Sequence, residues 1–105
     1  MVQAAKLPLS LIPTSFYLAV GRALQYGAAK YDRHQWRRGM PWSEPYSALQ
    51  RHLIAWNEGE RYDEDSGLSH LDHAAACLAF LIEYEAREAY HVFDDRFKSR
   101  ARNED

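Results

Sequence analysis

Apolar residues recur at helical spacing on both sides of one densely polar stretch, and that pattern leaves few folds open. The stretch, Arg51–His73, holds three histidines and six carboxylates in 23 residues. Before it, Tyr46, Leu49, Leu53 and Trp56 make the apolar stripe of one helix; after it, Leu71, Ala74, Ala75, Leu78, Leu81 and Ile82 make the stripe of a longer one. Ser43 reads as an N-cap with Glu44 and Pro45 in the first turn, and Gly59 as a stop after about Asn57. Ser66 or Ser69 caps the following helix, which is expected to reach roughly Tyr90. An earlier helix starts with Thr14 or Ser15 as cap and runs to about Ala29, with Phe16, Val20, Leu24 and Gly27 at helical spacing. No segment shows the alternation of a strand with conviction. The expected class is all-α, a small bundle of about three main helices.

Residues 1–14 read as an extended arm. Pro8 and Pro13 discourage helix there, while Leu9, Leu11 and Ile12 offer apolar plugs for a groove. Lys30–Trp42 reads as a connector, broken by Gly39 and Pro41. The chain of 105 residues is expected to be one domain: arm 1–14, helical core 15–90 and a charged tail 91–105, in which residues 94–105 are expected to be frayed or helical only in an oligomer. An apolar share of 47% with few Gly and Pro predicts folding. So small a domain buries a modest core, so part of the set of three Trp, seven Tyr and four Phe is expected in a subunit interface. A formal charge of −2 argues against a broad nucleic-acid surface. Basic residues still cluster at Lys30–Arg38 and Arg96–Arg102, which leaves room for a local anion site. Cys77, the lone cysteine, fits a reducing cytoplasm, and neither a signal core nor a membrane-length apolar run is seen.

At about 100° per residue, His52, Trp56 and Glu60 step round one side of the second helix, on or beside its apolar stripe. His70, His73 and Cys77 share one edge of the third, and Asp72 points the other way. If the two helices pack as an antiparallel hairpin, His52, Glu60, His70 and His73 converge, and the loop carboxylates Asp63 and Asp65 close the same end. Polar groups at this density beside apolar faces are costly to bury unless they bind something. A divalent metal holding a phosphorylated substrate accounts for them. Plainer readings stand beside this one. A histidine at a helix edge is often a hydrogen-bonding core residue, Glu58, Glu64 and Asp72 read as solvated surface, and Cys77 reads as a small buried apolar residue. Trp36, Trp42 and Trp56 suit core, interface or base stacking. Lys6, Lys30 and Arg51 each lie beside an apolar anchor and suit contact with phosphate.

The order of motifs adds a resemblance. Lys6 with Leu9–Pro13, then Tyr26-Gly27-Ala-Ala-Lys30-Tyr31, Trp36-x-x-Gly39, Arg51-His52-x-x-Ala55-Trp56-x-x-Gly59-Glu60, and Asp63-x-Asp65-Ser66-Gly67-x-x-His70-Leu71-x-His73 follow in sequence. Over about residues 6–88 this resembles the small dATP/dGTP diphosphohydrolase domain of phages and prophages. The resemblance implies hydrolysis of purine deoxynucleoside triphosphates between the α- and β-phosphates, giving a monophosphate and pyrophosphate in the cytoplasm of the bacterial host. It also implies kinship with the all-α MazG-type pyrophosphohydrolases, whose helix-borne carboxylates hold Mg²⁺. The expected cofactor is a divalent metal, Mg²⁺ or Mn²⁺; because His-x-x-His stands where those proteins carry Glu-x-x-Asp, Co²⁺ and Zn²⁺ are open as well.

On this reading Glu60, Asp63, His70 and His73 are the expected metal residues, and Glu60, Asp63 and His52 the catalytic ones. Lys6, Lys30, Tyr31, Trp36, Arg51 and Asp65 are the expected substrate contacts. A bundle this short can hardly enclose the site alone, so a homodimer or homotetramer is expected, with the arm and first helix reaching across. Neither nucleic acid nor membrane is expected as a partner. Two rivals remain: an HD-like nucleotide phosphohydrolase with another cleavage point, against which the order Asp72-His73 speaks, and a non-catalytic helical module with a structural zinc at His70, His73 and Cys77.

Overall fold

Two prolines and a left-handed glycine punctuate the chain much as their chemistry dictates. The structure, a computed structural model, describes residues 6–98. Pro8 precedes a short 3₁₀ turn, Leu9–Leu11, and Pro13, extended at φ −64° and ψ 140°, launches α1, Thr14–Lys30. The connector carries a second 3₁₀ turn, Gln35–Arg38, and leads into α2, Ser43–Asn57. Gly59, at φ +101°, ends that helix in a conformation that L side chains rarely adopt. α3, His70–Ala86, starts from Ser69, whose hydroxyl accepts from the Leu71 N–H at 3.1 Å. Among the described residues there are three long helices and no strand, so the all-α expectation holds.

α3 is the central helix and packs against both α1 and α2. Small residues make this approach close: Ala23 on α1, Ala48 and Ala55 on α2, and Ala74, Ala76 and Cys77 on α3 are buried or half-buried. The start of α2 (Trp42, Tyr46) and the end of α3 (Leu81, Glu85) line one groove, while His52 meets His70 near the opposite ends, so the pair is antiparallel. The predicted apolar stripes face this seam only in part. Tyr46, Leu53 and Trp56 of α2, and Leu71, Leu78 and Ile82 of α3, remain 40–59% exposed. In their place Pro45, Ala48, His52 and Ala55 of α2 are buried or half-buried.

α3 stops at Ala86, short of the expected Tyr90, and a 3₁₀ turn, Glu88–Phe93, follows. The reason is tertiary. Tyr90 packs on fully buried Tyr84 (centroids 4.8 Å apart) and its hydroxyl donates to the Arg37 carbonyl at 2.7 Å, while the Trp42 N–H donates to the Phe93 carbonyl at 3.2 Å. These contacts bring the chain back along the connector, which a continued helix would run past. The Tyr84 hydroxyl donates to the Trp36 carbonyl at 2.6 Å, and burial pushes its pKa up to about 12.

The tail is not frayed where it is described. Asp95 accepts from the Ser43 N–H at 2.9 Å and from the Ser43 hydroxyl, so a carboxylate sits at the α2 N-terminus, where unpaired N–H groups favour negative charge. Residues 99–105, and residues 1–5 of the arm, lie outside the described residues.

Asp72, read from sequence as solvated surface, is 5% exposed. It does point away from the histidines, but into α1, where Arg22 binds both its oxygens at 2.8 and 3.1 Å. Removing the guanidinium strands a buried carboxylate. Arg22→Ala is therefore expected to lower the thermal midpoint, and to lower it less when Asp72→Asn is present too. Melting curves of the three variants, followed by circular dichroism, check this.

No helix among the described residues is long and apolar enough to cross a membrane.

Candidate functional site

The acidic loop between α2 and α3 is tightly hydrogen-bonded. The Asp63 N–H donates to the Leu68 carbonyl, the Gly67 N–H to the Asp63 carbonyl, and the His70 N–H to the Arg61 carbonyl, at 2.8–2.9 Å. Gly67, at φ +74°, makes the tight reversal feasible. The Asp63 carboxylate accepts from the Ser66 N–H at 2.9 Å, a side-chain-to-backbone bond three residues on that fixes its direction. Loop and helices together place His52, Asp63 and His70 with one ligand atom each, all within 4.8 Å of one another.

The hydrogen bonds define the imidazole tautomers. His70 Nε2 lies 2.7 Å from the Glu60 carboxylate, which only accepts, so Nε2 carries the proton. In a neutral ring His70 Nδ1 is then a lone pair. It faces His52 Nδ1 at 2.9 Å, so His52 Nδ1–H is the donor when no cation lies between them. A carboxylate behind a histidine whose other nitrogen faces a ligand cluster is the arrangement by which proteins orient metal-binding imidazoles. His73 stands beside the group. Its ring stacks on His52 at 4.7 Å and 16°, Tyr26 meets it edge-on at 5.8 Å, and its Nε2 lies 2.6 Å from the Ser66 hydroxyl.

Burial holds the pKa of His52 and His73 below the ordinary imidazole value, and their mutual proximity with His70 adds to it. Burial also pushes the Asp63 carboxyl up, but the Ser66 N–H and hydroxyl, with the two imidazoles, outweigh it and leave that carboxyl below its usual range. At neutral pH His52 and His73 thus offer neutral imidazoles and Asp63 an ionised carboxylate, the forms that bind cations. The unfolded chain protonates His52 and His73 near the ordinary 6.5, whereas the folded one does so only at lower pH. Metal-free stability should therefore be full above that value and fall as pH drops from 7 to 5. Asp63 acts in the same sense further down, its contribution lost as pH falls below 3.8. Thermal midpoints across this range should flatten in the His52→Gln/His73→Gln variant.

The remaining expected residues fall at the rim or elsewhere. The Lys30 ammonium lies 5.8 Å from the Tyr26 ring centre and 5.4 Å from that of Tyr31, so Tyr26 connects it to His73. Arg51 is exposed beside His52, and its charge is felt at both His52 and the buried Cys77 thiol. Asp65 and Tyr31 are exposed, and Lys6 is exposed on the arm. Trp36 stacks on Phe80 at 4.9 Å and 22°. Phe80 lies two turns beyond His73, so Trp36 sits roughly 10 Å along α3 from the cluster. The His70, His73 and Cys77 set of a structural zinc is not gathered: His70 faces His52 and Glu60, and His73 faces Ser66. Sequence reasoning missed the parts played by Ser66 and Tyr26. The spacing Asp63-x-x-Ser66 carries a signal of the first, since Asp and Ser favour such local side-chain-to-backbone bonds.

This geometry can be set against known proteins. Residues 2–96 match the family described as dATP/dGTP diphosphohydrolase, N-terminal. The chain belongs to that family. A relative from Salmonella phage PMBT28, named dATP/dGTP diphosphohydrolase, is 37% identical over 77 residues, 73% of this chain. The match covers 26% of the relative, so the chain spans about a quarter of that protein's length. No solved structure matches. Family membership bears out the resemblance read from the ordered motifs, and the matched region includes the cluster of His52, Asp63 and His70.

Proposed function

We propose that this chain carries the metal-dependent site of a purine deoxynucleoside triphosphate diphosphohydrolase. Water adds to the α-phosphorus, the α–β bridging oxygen leaves with pyrophosphate, and a nucleoside monophosphate remains. The observation that carries this reading is the convergence of one ligand atom each from His52, His70 and the Asp63 carboxylate within 4.8 Å, with Glu60 behind His70. Two nitrogens and an oxygen fit a divalent ion, and the imidazoles favour Mn²⁺, Co²⁺ or Zn²⁺ over Mg²⁺. Such an ion supplies Lewis acidity to phosphate oxygens and to water.

The chain's own groups do the rest. Glu60 holds His70 in the tautomer whose Nδ1 faces the cluster. The Ser66 N–H keeps the Asp63 carboxylate ionised and aimed. Lys30, steadied by Tyr26 and Tyr31, and Arg51 provide cations at the rim to offset phosphate charge. Asp65 and Tyr31 flank that rim, and Lys6 reaches a site from the arm of a neighbouring copy. The exposed apolar residues of α2 and α3, together with Phe16, Tyr17 and Leu18 of α1, support a homodimer or homotetramer. The lone Cys77 and the phage relative support action in the bacterial host cytoplasm.

The test is turnover of dGTP and dATP with Mg²⁺, Mn²⁺, Co²⁺ or Zn²⁺, the products resolved by chromatography. Monophosphate with pyrophosphate supports the proposal. Deoxynucleoside with tripolyphosphate points to the HD-like alternative, and no turnover with any ion overturns hydrolysis by this chain.

A further inference from the structure

Beyond Lys30 and Tyr31, the basic stretch Arg33–Arg37 takes no part in the imidazole site and borders a cleft of about 490 Å³ between α1 and the connector. Gly21, Leu24, Gln25 and Ala28 line it from α1, and Arg33, His34, Trp36 and Arg37 line it from the connector. The α1 set and the set facing the histidines and Asp72 (Arg22, Tyr26, Lys30) lie roughly 150° apart around the helix at 100° per residue. The cleft therefore opens on the far side of α1 from the cluster.

The geometry points to a second ligand site in this cleft, one that takes a nucleotide. It is separate from the hydrolytic site and does not rest on the hydrolysis reading. Four features favour that ligand class. No carboxylate lines the cleft, while two guanidinium groups and an imidazole do. Among the described residues neither Arg33 nor Arg37 is ion-paired, whereas Arg38 is committed to Asp32 and Arg22 to Asp72. The Arg33 guanidinium, engaged by neither an ion pair nor a ring among the described residues, suits the phosphate. Trp36 is sandwiched between Phe80 and the Arg37 guanidinium, which lies 4.6 Å from its ring centre, so the flat surface offered to a base is the outer, exposed face of Arg37. Gly21 and Ala28 keep the helix wall low, and the Gln25 amide offers both a donor and an acceptor to a heterocycle edge. The volume falls in the range of small-molecule sites.

The experiment is calorimetric titration of the full chain with dGMP in EDTA, where no turnover is read and the metal-dependent site is silent. We expect one dGMP per chain, bound at least tenfold more tightly than pyrophosphate or deoxyguanosine alone. Arg33→Glu with Arg37→Glu should weaken dGMP at least tenfold. Gly21→Leu should do the same by filling the cleft, and a Cβ at this helical position meets no atom within 4 Å, so the variant should fold. His70→Ala should leave the affinity within twofold. The proposal is overturned if dGMP does not bind, if it binds no better than pyrophosphate or deoxyguanosine, or if His70→Ala abolishes binding that the cleft variants retain. Absence of dGTP hydrolysis would sink the proposed function and leave this titration intact.

Discussion

His70→Ala is expected to cut metal-dependent dGTP hydrolysis by roughly 100-fold or more, because His70 is the hinge of the cluster. Its ring joins Glu60 on one side to His52 on the other, and no other described side chain contacts both through hydrogen bonds. Truncation removes one of three converging ligand groups and leaves Glu60 with nothing to orient. Glu60→Gln is the milder companion. An amide can still accept from His70 Nε2–H but carries no charge, so a loss of about tenfold is expected. His70 is also 4% exposed, so its loss opens space in the packing and the variant's helicity must be checked alongside its rate. The informative readout is metal dependence. If the site is right, His70→Ala requires a higher Mn²⁺ concentration for half-maximal rate. A fully folded His70→Ala protein with unchanged rate and unchanged metal requirement would remove the cluster from the mechanism.

Gly39→Ala is expected to cost about 3 kcal/mol of stability. Gly39 sits at φ +92°, and a Cβ built there collides with the Phe93 ring. Backbone strain and overpacking thus act together. The Phe93 backbone is held, since its carbonyl accepts from the Trp42 N–H at the start of α2, so relief requires the ring itself to swing off the connector. For a domain of this size the loss corresponds to a drop of roughly 15 °C in thermal midpoint. Gly21→Ala is the control. There φ is helical and a Cβ meets nothing within 4 Å, so the change should stabilise by up to about 1 kcal/mol. Two glycine-to-alanine changes of opposite sign, measured by the same thermal melts, separate the effect of context from that of composition. If Gly39→Ala melts like the parent protein, the close packing of Phe93 on the connector is wrong.

These expectations rest on unequal foundations in the sequence. The three long helices and most of their ends were legible, because apolar spacing, Ser69 as cap and Gly59 as stop are local signals with local causes. The proximity of His52 to His70 was legible too, since helical spacing places each on the edge its helix turns to the other. The pairing of Arg22 with Asp72 was not. It joins positions 50 residues apart, and nothing near Asp72 in sequence announces a guanidinium. The ending of α3 at Ala86 was equally hidden, because Arg87 to Tyr90 carry no breaker and the turn is imposed by Tyr84, Arg37 and Trp42.

What the sequence by itself determined is the helical class, the position of the polar loop between two apolar rods, and membership of a family through ordered motifs. What only the tertiary structure decided is which polar atoms meet. It set Glu60 behind His70, tied His73 to Ser66, carried Trp36 away to Phe80 and made Asp95 a cap for α2. Periodicity specifies the face of a helix to within tens of degrees, but a hydrogen bond is decided within tenths of an ångström. That precision comes from the close approach that small residues such as Ala55 and Ala74 allow between neighbouring helices.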